Sequence, residues 1–119
     1  MPKVMLAEDD ATMLSLLRTL LKMEGFDTIT LGVEEDVIEA LRSETPDIVL
    51  LDVNLTQGNG IDFLRRIRRD DVLKSIVVIM SSGMPLAEEC FEAGADSFLL
   101  KPYMPDTLIS AIKSGLSKI

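Results

Sequence analysis

The chain has 119 residues, 47% of them hydrophobic, enough for one compact domain with a core and too few for two. A net charge of −8 weighs against unaided nucleic-acid binding, and the lack of any histidine excludes Ser-His or Cys-His nucleophile pairs, histidine metal sites and a phosphohistidine donor. The apolar runs are too short to span a bilayer, Met-Pro-Lys-Val-Met is no signal peptide, and the single Cys90 forms no intrachain disulfide, so a cytoplasmic location is expected.

Strand and helix patterns alternate along residues 1–119, which read as one domain. Lys3-Ala7 reads as a strand. Ala11-Glu24 reads as a helix with Met13, Leu16, Leu17, Leu20 and Leu21 on its inner face, stopped by Gly25. Phe26-Thr30 is the second strand. The next helix carries Val37, Ile38 and Leu41 until Thr45-Pro46 breaks it. Asp47-Asp52 is a strand whose run Ile48-Val49-Leu50-Leu51 is apolar throughout, as expected for one buried on both faces. A helix marked by Ile61, Leu64 and Ile67 follows, entered through Gly58-Asn59-Gly60. Arg65, Arg66, Arg68 and Arg69 near its end complement the helix dipole and precede Asp70 and Asp71, so they read as a solvated helix end. Ile76-Met80 is the most apolar strand. A short helix runs from about Pro85 to Ala93, with Cys90 packed at helical spacing among Leu86, Ala87 and Phe91, and ends at Gly94. Ser97-Leu100 is the fifth strand. The last helix begins at Pro105 and turns Leu108, Ile109, Ile112 and Leu116 inward.

Alternating strands and helices join by right-handed crossovers, so the expected fold is α/β: a doubly wound, five-stranded parallel sheet between helical layers. The carboxyl edge of such a sheet is where ligands collect. The first strand delivers Glu8 and Asp9 there, the third Asp52, the fourth Ser81 and Ser82, and the fifth Lys101. Three carboxylates within about 5 Å repel by roughly 3 kcal/mol per pair at an effective dielectric near 20, which a hard cation would relieve. Oxygen-only ligation suits Mg²⁺, and a lysine and a hydroxyl beside it suit a phosphoryl oxygen. Together these residues read as an aspartate, Asp52, that accepts a phosphoryl group in line, with Mg²⁺ and Lys101 stabilising the developing charge. Asp10 directly precedes the first helical pattern and reads as its N-cap, with a metal-ligating role as the alternative.

With these residues in order, the whole chain resembles the receiver domains of bacterial two-component response regulators. The Gly94-Ala95-Asp96 turn, Phe98 three residues before the lysine, and Lys101-Pro102 extend the match. The resemblance implies a flavodoxin-like strand order of 2-1-3-4-5 and assigns Asp52 as phosphoacceptor. It makes Asp9 the direct Mg²⁺ ligand, Glu8 the second acid, and Asn54 a ligand through its backbone carbonyl. Ser81 becomes the switching hydroxyl, with Ser82 as the alternative one residue on, and Phe98 the switch aromatic. It also implies a cis Lys101-Pro102 bond. The phosphodonor would be a histidine kinase or histidine phosphotransfer protein, and the signal would pass to a downstream effector or an attached output domain. Such a module is no enzyme beyond its own phosphorylation and dephosphorylation, and it contacts neither nucleic acid nor membrane itself. A haloacid-dehalogenase-type phosphatase also uses an aspartyl nucleophile, but it carries a second Asp where this chain has Asn54.

The sequence departs from the family at Thr56, commonly proline. Its segment between Ser81 and Gly94 is shorter than usual, and Met104 replaces the usual capping residue before Pro105. The last helix lacks charges typical of receivers that dimerise through their final two helices.

Overall fold

A computed structural model describes residues 2–117. Met1, Lys118 and Ile119, which the expected single-domain span includes, lie outside the described residues. The chain opens with β1 (Lys3–Ala7) and α1 (Ala11–Met23). Asp10 caps that helix, its carboxylate accepting the Met13 N–H at 3.0 Å, so the N-cap reading of Asp10 holds. β2 (Asp27–Thr30) and α2 (Val37–Glu44) follow, the latter capped by Asp36. It ends at Thr45 with φ 42°, in the left-handed region that terminates helices, immediately before Pro46. β3 (Ile48–Asp52) is buried along its whole length.

A two-stranded hairpin, β4 (Asn54–Leu55) and β5 (Gly58–Asn59), lies between β3 and the next helix. Strands of two residues carry no periodicity, so pattern alone does not reveal them. Asn59 then caps α3 (Gly60–Arg69), accepting the Ile61 N–H at 2.8 Å. β6 (Val77–Ser82), α4 (Ala87–Glu92), β7 (Ser97–Leu100) and α5 (Pro105–Leu116) complete the chain.

The sheet order is β2-β1-β3-β6-β7 with every pairing parallel, which is the expected 2-1-3-4-5 order of a flavodoxin-like fold once the hairpin is set aside. Because successive side chains alternate faces, the sheet separates two cores. Val4, Leu6, Ile48, Leu50, Val77, Ile79 and Leu99 face α1 and α5, where they meet Leu17, Leu21, Leu108 and Ile112. Met5, Ala7, Val49, Leu51, Val78 and Met80 face α2, α3 and α4. Cys90 is fully buried in this second core and its thiol is free, in accord with a packed role; burial pushes its pKa up.

Four expectations are corrected. β6 continues past Met80 through Ser82, because Ser81 and Ser82 pair with Leu99 and Leu100. Phe26 is buried but precedes β2. α4 begins at Ala87, two residues after Pro85, with no side chain capping it. Leu16 is 49% exposed: it lies about 100° around the helix from Leu17, whereas Leu14, about 60° away, joins Met13 on the core side. Arg68 staples the far end of the sheet, donating to the Gly94, Lys74 and Ile76 carbonyls and to Asp96 Oδ2.

Candidate functional site

The alternation that builds the core facing α1 and α5 also builds the site. Glu8 follows Val4 and Leu6, Asp52 follows Ile48 and Leu50, Ser81 follows Val77 and Ile79, and Lys101 follows Leu99. Each is the next residue of the same parity, so four side chains from four strands emerge on one face at the carboxyl edge. Asp52 and Ser81 are direct register partners across β3 and β6. Ser82 has the opposite parity, and its hydroxyl accepts the Met84 N–H at 3.0 Å.

Lys101 Nζ lies 2.6 Å from Glu8 Oε2 and 2.5 Å from Asp52 Oδ2. Both acids are buried, at 4% and 6% exposure, so the lysine stands between two carboxylates largely removed from water. Burial opposes the charge on Lys101, but hydrogen bonds to Asp52 and then Glu8, with the attraction of both charges, outweigh it and raise its pKa. The remaining carboxylate oxygens are held by backbone: Asp52 Oδ1 accepts the Asn54 N–H at 3.1 Å, and Glu8 Oε1 accepts the Asp10 N–H at 3.1 Å. Gly60 closes the loop beneath Asp52, its N–H donating to the Val53 carbonyl at 2.6 Å. A Cβ there would come within 2.3 Å of the Asp52 carbonyl, so only glycine permits this approach. The Lys101–Pro102 peptide is cis, as expected.

Asp9 does not join the other two acids in this arrangement, which corrects the expectation of three converging carboxylates. It is exposed, and its Oδ2 accepts both the Thr56 N–H at 2.7 Å and the Thr56 hydroxyl at 2.8 Å. The physical reason is mutual repulsion: one ammonium balances two carboxylates, and the third finds two donors on the hairpin turn. Among the described residues, no three acidic, histidine or cysteine side chains are gathered at metal-binding spacing. The donors available at the edge are nonetheless hard oxygens, the chemistry Mg²⁺ takes. Asn54 has an exposed side chain. Phe98 is half-buried against the other core and pairs in register with Met80, the residue before Ser81.

Two hydroxyls at this end, those of Ser81 and Tyr103, are buried without a hydrogen-bond partner among the described residues. A buried polar group left unpaired is costly, and such groups concentrate where a ligand completes them. Tyr103 is absent from the sequence reading; its place two residues after Lys101 is the one signal that could have found it. Burial first, then the charges of Glu8 and Asp52, partly offset by Lys101, push its phenol up to about 12.

The model of the response regulator receiver domain matches residues 4–113. The DNA-binding response regulator MtrA of Mycolicibacterium paratuberculosis is 31% identical over 98% of this chain and 52% of its own length. The phosphate regulon transcriptional regulatory protein PhoB of Escherichia coli is 28% identical over 98% of this chain and 52% of its own. The chain thus spans about half the length of these curated relatives. Among solved structures, HP1043, an orphan response regulator of H. pylori, superposes with a TM-score of 0.84 at 27% identity, covering 97% of this chain and 96% of that one. A CheY-like receiver domain protein from Methanospirillum hungatei, at 23% identity, shares the fold with a TM-score of 0.87 over 99% and 95%. A receiver model that fits nearly the whole sheet and its helices, on a chain whose strand ends carry Glu8, Asp52, Ser81 and Lys101, places this protein in the response regulator receiver domain family.

Proposed function

We propose that this domain accepts a phosphoryl group on Asp52 from a histidine kinase or histidine phosphotransfer protein, in a Mg²⁺-dependent reaction, and relays the change to an output domain or downstream partner. The observation that carries the reading is the buried Glu8–Lys101–Asp52 arrangement with the unpartnered Ser81 hydroxyl in register beside Asp52. The match covers 52% of MtrA and of PhoB, so the DNA binding and transcriptional regulation in their names are not carried over to this chain.

In the reaction, a carboxylate oxygen of Asp52 attacks the phosphorus. The new P–O bond forms as the donor's P–N bond breaks, and the electron pair leaves with the imidazole. Asp9, Glu8, Asp52 and the Asn54 carbonyl would hold Mg²⁺, which when bound neutralises charge on the phosphoryl oxygens. Lys101 keeps Asp52 oriented and offers its ammonium to a phosphoryl oxygen. Ser81 Oγ supplies a donor to another such oxygen. The domain acts as a signalling module, turning over only its own phosphate.

Switching would run from Ser81 through β6. A hydroxyl drawn toward phosphate moves the strand that carries Met80, and Met80 is the register partner of Phe98. The test is beryllofluoride, a phosphoryl mimic, added with Mg²⁺ to Ser81→Ala and Ser82→Ala variants and followed by amide chemical shifts. Ser81→Ala should still bind the mimic yet lose the shifts around Phe98, while Ser82→Ala retains them. The reverse ranking would remove Ser81 from the switch.

A further inference from the structure

We propose that Thr56 is a positioning residue that clasps Asp9 away from the other acids and thereby lowers the affinity of the site for Mg²⁺. The inference rests on the reading of Asp9 as a metal ligand. Both donors of Thr56 converge on one oxygen, Asp9 Oδ2, at 2.7 Å and 2.8 Å. Hydrogen bonds to a carboxylate are charge-assisted and stronger than neutral ones. An ion that takes this oxygen must displace those donors or share their acceptor.

The clasp has a fixed base. Thr56 and Gln57 form the turn of the hairpin, whose pairs are Asn54 with Asn59 and Leu55 with Gly58. Gln57 Nε2 donates to the Gly32 carbonyl at 2.8 Å and to the Glu35 carbonyl at 3.2 Å, which ties the turn to the loop after β2. Leu55 packs against the core. Thr56 therefore presents its N–H and hydroxyl from an anchored turn. The direction of the effect follows from the arrangement: clasped, Asp9 stands apart from Glu8 and Asp52, and no three acids meet at metal-binding spacing among the described residues. Releasing it removes a competitor for the ion.

The experiment is a Mg²⁺ titration of the unphosphorylated chain, read by calorimetry and by amide shifts, on wild type, Thr56→Val, Thr56→Ser and Asp9→Asn. Valine keeps the shape and the N–H but lacks the hydroxyl, so it should bind Mg²⁺ about three- to tenfold more tightly, the net worth of one ordinary hydrogen bond, since Thr56 and Asp9 are both exposed to water. Serine retains both donors and should match wild type. In wild type the Thr56 amide should shift as Mg²⁺ saturates, because it loses its charged acceptor. Structural damage alone would weaken binding. Thr56→Val binding equally or more weakly than wild type overturns the clasp. Undiminished binding by Asp9→Asn instead overturns Asp9 as a ligand, and the clasp with it.

Discussion

Lys101 and Asp52, separated by 49 residues in sequence, meet at 2.5 Å at the carboxyl edge of the sheet, one strand beyond direct neighbours. β6 lies between their strands, so the long, flexible lysine reaches across Ser81's strand to two acids that would otherwise face each other. The contact joins the fold to the chemistry: the charge that makes the acid pair tolerable is the one a phosphoryl group would meet.

Replacing Lys101 with methionine leaves Glu8 and Asp52 buried and uncompensated. The variant should lose about 2–4 kcal/mol of stability in urea unfolding near neutral pH, since deleting one partner strands the others' charge. Because its folded pKa is raised, the stabilisation from Lys101 is fully present below the unfolded lysine value of about 10.4 and is lost as pH rises through the folded value. A Lys101→Met variant as stable as wild type at neutral pH would contradict this account of the acid pair.

Tyr103 is the chain's single tyrosine, and there is no tryptophan, so phenolate absorbance reports on it alone. The native protein should titrate at about 12, while in denaturant the midpoint should return to about 10. The folded pKa is raised, so the associated stability is present below about pH 10 and falls as pH climbs toward 12. Tyr103→Phe removes a buried hydroxyl that has no partner. It should be neutral or stabilising by about 1 kcal/mol and should flatten the alkaline decline. A native midpoint near 10 would place the phenol in solvent and contradict its position beside the acids.

The sheet is legible in the sequence because β3 and β6 are continuous apolar runs and the helices keep their spacing. The same parity that fills the core facing α1 and α5 predicts the shared face of Glu8, Asp52, Ser81 and Lys101, since each lies an even number of residues from a core position. Two features lie beyond such reasoning. The partner of Asp9 depends on a hairpin 47 residues away whose strands are too short to show a pattern. Tyr103 lies two residues after Lys101, which brings it near the site, but nothing in the sequence marks its hydroxyl as buried and unpaired among the described residues. Leu16 shows the opposite failure, an apolar residue that helical spacing places inward beside Leu17 although the helix turns it to solvent.

The most direct test of the central claim is intact and tandem mass spectrometry after incubation with acetyl phosphate, with Mg²⁺ or with chelator, on wild type and Asp52→Asn. One phosphate should appear on wild type only when Mg²⁺ is present, map to Asp52, and be absent from the Asn variant. An undiminished adduct on Asp52→Asn, or equal phosphorylation in chelator, would contradict the assignment of Asp52 as the Mg²⁺-dependent phosphoacceptor.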